Sequence, residues 1–218
     1  MSHPATLAPN ALTTLDTVKE VLGVHGSSQD AALTRYINTA SEAIERYCDR
    51  RFQRATVVEK VGFMGGQRLL LERTPLVSIT SIVVDGVTLD ASAYSIQSAA
   101  QGTVYRESGW PWSADIVDAM SPYRLPGTER QLATVTYVGG YVLPNDAGTR
   151  SLPYDLEQAC VDTVVALYRQ QGRDKSVQGE AVGGASVQYA QRNPAISGAG
   201  GIIPPSALVT LDGYKRVT

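Results

Sequence analysis

The spacing of apolar residues changes twice along this chain of 218 residues, and that change limits its fold more than any single motif. Leu33, Tyr36, Ile37, Ala40, Ile44, Tyr47 and Cys48 recur three and four apart, forming one stripe of an amphipathic helix. Glu42, Glu45, Arg46 and Asp49 fall on the opposite face. From about residue 56 to residue 142 the period drops to two, as in half-buried strands. The helical period returns between about Pro153 and Gln171. A strand-rich block enclosed by helices distant in sequence predicts an α+β fold. The expected form is a small antiparallel bundle of three main helices with an inserted antiparallel β-rich domain and an extended C-terminal arm.

Local signals place the elements. A first helix is expected over Leu15–Leu22, with Thr13 and Asp16 making a capping-box-like start and Gly23 a stop. The second starts after Ser28, a suitable N-cap, with Asp30 in the first turn, where negative charge suits the helix dipole. The third has proline at its first turn, with Asp155 and Glu157 just behind it. Its apolar residues cover more than half its circumference, which predicts packing on two sides. Strands are expected over Thr56–Phe63, Arg68–Glu72, Ser78–Val84, Tyr94–Gln97, Thr103–Arg106 and Gln131–Val138. Asp85-Gly86, flanked by Ile82-Val83-Val84 and Val87-Thr88-Leu89, is a two-residue hairpin signal. Gly65-Gly66 and Gly139-Gly140 mark turns or bulges, and residues 110 to 127 form a long loop.

Residues 172 to 201 hold seven glycines in thirty positions, and only Ala185–Ala190 looks strand-like there. Beyond Pro204-Pro205, Leu208, Val209, Leu211 and Tyr214 return at near-helical spacing. These residues read either as an arm whose end docks on a partner or as a frayed tail with a short helix. The expected organisation is a flexible start over 1–12, a helical core over 13–55 and 150–171, an inserted β-rich domain over 56–149 and an extended arm over 172–218 with a short terminal helix.

The side chains offer little chemistry. The only histidines, His3 and His25, lie outside any triad or zinc-type pattern. No phosphate loop, dinucleotide fingerprint or nucleophile elbow occurs, and Gly179 to Gly184 lacks the lysine a phosphate loop needs. No catalytic residue, metal ligand or cofactor is expected. Cys48 and Cys160 fall in helical segments without metal-type spacing and read as buried small apolar residues. Nineteen basic residues face twenty-one acidic ones, a balance that argues against a dedicated nucleic-acid binder. No apolar run reaches the roughly 18 residues of a membrane span. The first ten residues lack the pattern of a signal peptide, so a soluble protein made in the cytosol is expected. Trp110-Pro111-Trp112 reads as a loop folded over the sheet end, as an exposed anchor at a subunit contact, or as a carbohydrate platform.

Four blocks in order resemble the head–tail connector proteins of long-tailed bacteriophages, also called neck adaptor or head-completion proteins. They are Leu15-Asp16-Thr17-Val18-Lys19-Glu20-Val21-Leu22, then Ala40-Ser41-Glu42-Ala43-Ile44-Glu45-Arg46-Tyr47-Cys48-Asp49-Arg50-Arg51-Phe52. Val135-Thr136-Tyr137-Val138-Gly139-Gly140-Tyr141 and Pro153-Tyr154-Asp155-Leu156-Glu157-Gln158-Ala159 follow. The β-rich insertion places the chain with the longer members. The resemblance implies a structural virion protein at the neck, made in the host cytoplasm and not an enzyme. It implies a ring, about twelve-fold, that adapts the portal to the tail and completes the head after packaging. The partners implied are the portal, a tail terminator or stopper protein, and DNA passing through the lumen without sequence-specific binding. It makes Leu208, Val209, Leu211 and Tyr214 candidates for docking on the portal or a neighbouring subunit. The alternative is a β-rich receptor- or carbohydrate-binding module, with Trp110 and Trp112 as its contact residues.

Overall fold

The structure is a computed structural model that describes residues 6–62, 66–84, 86–110, 132–170, 179–182, 185–188 and 201–216. The chain divides into two compact units, one formed by residues 1–50 with 142–218 and the other by residues 51–141.

Among its described residues the first unit holds four helices, including a short terminal one: α1 Leu15–Leu22, α2 Asp30–Cys48, α3 Tyr154–Arg169 and α4 Pro205–Asp212. Two start signals move. The N-cap of α1 is Thr14, whose Oγ1 accepts from the Thr17 amide at 3.1 Å. The expected cap, Thr13, is instead buried, and its hydroxyl donates to Glu157 Oε1. Gln29, with no side-chain capping bond, takes the place expected for Ser28 ahead of α2. Gly23 closes α1 in the left-handed region with φ 65°, where glycine carries no Cβ penalty.

The stripe along α2 becomes its buried side through Leu33, Ile37, Ala40, Ile44 and Cys48. α3 lies centrally, packing against α1, α2 and α4, and buries Leu156, Ala159, Cys160 and Val164. The first segment is not loose where it is described. Ala11 and Leu12 are fully buried, and the Leu12 amide donates to Ser41 Oγ of α2. Asn10 donates to Glu45, and the Ala8 amide donates to Asn38 Oδ1.

The second unit is antiparallel. A four-stranded sheet runs β1-β7-β3-β4, formed by Ala55–Gly62, Leu132–Gly139, Leu76–Val84 and Val87–Thr88. A three-stranded sheet runs β2-β6-β5, formed by Arg68–Leu70, Thr103–Tyr105 and Ser95–Ser98. Val84 pairs with Val87 across the expected two-residue turn, and Gly86 has φ 78°. Alternation sends Ala133, Val135 and Tyr137 of β7 into a core shared with Leu69, Ile82, Val104 and Trp110. Gly140, at φ 100°, lies so close to the Gln53 carbonyl oxygen that a Cβ would sit 2.5 Å from it. A separate hairpin pairs β8 Gly179–Val182 with β9 Ala185–Gln188. The expected strand over 185–190 corresponds to β9, whereas β8 had no separate sequence signal.

Candidate docking surface

The C-terminal helix is the candidate surface, and its two faces differ. Proline at the first helical position suits the start of α4, because its missing N–H would have no partner inside the helix. Toward the protein, Ile203, Ala207 and Leu211 are buried, Leu211 completely. Cys48 Sγ lies 3.7 Å from the Leu211 carbonyl oxygen, and the Arg216 amide donates to the Cys48 carbonyl at 3.0 Å. Toward solvent, Val209 is 78% exposed. Leu208 and Tyr214 are half-buried at the rim.

Polar contacts hold the end of this helix onto α2 and α3. Tyr47 donates to Asp212 Oδ1 at 2.7 Å, and Lys215 bridges the same carboxylate at 2.9 Å. The Lys215 ammonium also lies 4.1 Å from the centre of the Tyr47 ring. Hydrogen bonds from Lys215 and then Tyr47 hold the Asp212 carboxyl below its ordinary range. Tyr214 donates to Asp155 at the start of α3, and Arg50 donates to the Tyr214 carbonyl. The four residues nominated by sequence therefore split. Leu211 anchors the helix to its own subunit, Val209 faces outward, and Leu208 and Tyr214 lie between.

The end of the arm packs on the helices of its own chain. Burial of Leu211 and the Asp212 contacts supply a dock within the chain itself. Sequence reasoning missed Tyr47, Asp212, Lys215 and Asp155 as a group, because Tyr47 and Asp212 alone lie 165 positions apart. No local signal links them.

Elsewhere in this unit a polar link joins the first segment to α3. Glu157 accepts from Thr13 and pairs with Arg150 at 2.6 Å, and Asn145 donates to the Thr13 carbonyl. Arg150 stacks on Tyr154, 4.0 Å from its ring centre. Both thiols are free and buried, and desolvation pushes each up to about 12.

In the other unit, Trp110 is packed in the core rather than presented as an anchor or sugar platform, and Arg106 lies over its ring. Trp112 lies outside the described residues. His25 is exposed in the turn before α2. Among the described residues no group of three His, Cys, Asp or Glu is arranged to hold a metal, and no helix is long and apolar enough to cross a membrane.

The chain thus combines a helical unit with a unit built on antiparallel sheets. The fold is similar to a chain in the neck of an empty GTA particle computed with C6 symmetry. The identity is 18% and the TM-score 0.53, covering 99% of this chain and 95% of that one. It is also similar to a chain in the neck of a native GTA particle computed with C12 symmetry. There the identity is 16% and the TM-score 0.51, covering 100% and 96%. No curated protein sequence matches. The family model "Head completion protein" matches residues 11–217, so the chain belongs to the head completion protein family, structural components of the bacteriophage neck.

Proposed function

We propose that this protein forms a closed ring in the virion neck, adapts the portal to the tail, and completes the head once DNA is packaged. The family match over residues 11–217 is the observation that carries this reading. The likeness to neck chains in particles computed with C6 and C12 symmetry supports the ring, and twelve copies is the number proposed. A closed ring needs a heterologous contact between two different patches of each subunit. The protein acts without catalysis, and its net charge of −2 suits a conduit through which DNA slides. The solvent face of α4, centred on Val209 with Leu208 and Tyr214 at its rim, is the proposed contact with the portal or a neighbouring subunit. A tail terminator or stopper protein meets the opposite side of the ring.

The test is assembly in the absence of this protein. Particles made without it should be DNA-containing heads with no tails, which lose DNA unless the purified chain is added back. Tailed, infectious particles assembled without it would overturn the reading.

A further inference from the structure

We propose that the β8–β9 hairpins of neighbouring copies join edge to edge into one closed β-barrel that lines the ring. This rests on the ring reading above and adds the contact that closes the lumen.

Three observations carry it. First, among the described residues β8 and β9 pair only with each other, in a sheet of two strands. Such a hairpin is marginal in water and gains stability when further strands extend it. Second, the register leaves both edges able to pair. Two residues separate Val182 from Ala185, which are partners, so that pair exchanges both of its backbone hydrogen bonds. By alternation the next pair, Ala181 with Ser186, and the outermost, Gly179 with Gln188, direct their N–H and C=O groups to the two open edges. One edge belongs to β8 and the other to β9, so joining them is a head-to-tail contact of the kind that closes a ring. An up-and-down hairpin repeated this way keeps every neighbouring strand antiparallel for any number of copies. Third, the covalent chain gives reach. Nine residue steps lie between Gln170 and Gly179, a span of up to about 30 Å. Thirteen steps connect Gln188 to Gly201, a span of up to about 45 Å.

The dimensions choose the copy number. Strands about 4.8 Å apart and tilted about 40° close twelve hairpins on a circle about 48 Å across. Six hairpins would close at about 24 Å, too narrow once side chains fill the rim for a duplex about 20 Å wide. Twelve copies leave room for the duplex. Between Gln178 and Tyr189 the sequence has no Lys or Arg and one carboxylate, Glu180, so this segment does not grip phosphate.

The test uses the full chain in assembled rings. Variants A181C, S186C and Q188C are made singly, A181C is mixed in equal amounts with each of the others, and the rings are oxidised at pH 8. The native thiols are buried and protonated at that pH, so they stay silent. The proposal expects a disulfide-linked pair of chains in at least one mixture and none from A181C alone. Intact rings that give no linked pair in either mixture would overturn it and leave the ring reading standing. Dimers from A181C alone would also overturn it, because like edges would then be meeting. If the wild-type chain formed no ring even when presented with tailless heads, the ring reading itself would fall, and this inference with it.

Discussion

Truncating Leu211 and truncating Val209, two residues apart on α4, should have opposite consequences. Leu211 is completely buried, while Val209 is 78% exposed. Leu211→Ala removes buried methyl groups and leaves a cavity, which costs about 2–5 kcal/mol, with 3 kcal/mol a reasonable centre. For a chain of this size each kcal/mol moves the midpoint by about 2–4 °C, so a fall of about 6–12 °C is expected. Val209→Ala deletes surface that water already covers and should change stability by no more than about 0.5 kcal/mol. Differential scanning calorimetry on the two purified variants reads both numbers. Attachment to tailless heads should show the reverse ranking, with Val209→Asp abolishing it at an unchanged melting point. If Leu211→Ala melts within about 1 °C of the wild type, α4 does not pack on its own subunit before assembly. The assignment of its inner and outer faces would then be wrong.

Three further outcomes are expected. Glu157→Gln breaks the 2.6 Å pair with Arg150 and weakens the bond from Thr13. It should lower the unfolding free energy by about 2–4 kcal/mol in urea titrations, and a loss below about 0.5 kcal/mol would deny that link a stabilising role. Gly140→Ala places a Cβ against the Gln53 carbonyl at a positive φ. It should raise amide exchange throughout the β unit while the helical unit keeps its protection, and unchanged exchange would refute the close approach. Burial raises both cysteine thiols to about 12 from an ordinary value of 9.0. Unfolded chains therefore release thiol protons first, so this contribution to stability is complete below about pH 9 and is lost as pH rises toward about 12. Circular dichroism melts between about pH 8 and pH 11 should show a progressive decline that weakens in the Cys48→Ala/Cys160→Ala variant. A decline identical in both proteins would refute the assignment.

Much of the architecture is local in origin and is legible in the sequence. The 3.6-residue stripe from Leu33 to Cys48, the change to a two-residue period and the glycine at position 23 each determine an element from neighbouring residues alone. The turn at Gly86 is read the same way, because a left-handed backbone there follows from the Asp-Gly pair. Caps are less legible. Thr13 and Thr14 are equivalent as sequence, and only the presence of Glu157 on α3 draws Thr13 inward and leaves the cap to Thr14. The same holds for the chain's two ends. Residues 6–12 look loose because nothing nearby in sequence holds them, yet Ser41, Asn38 and Glu45 of α2 do so. The apolar cluster at 208–214 suggests an external partner because its dock, formed by residues around Cys48 and Asp155, is long-range in sequence. Periodicity shows which residues must be buried. Only the tertiary structure decides against what, because burial is satisfied by any apolar surface that the chain's connectivity allows to approach.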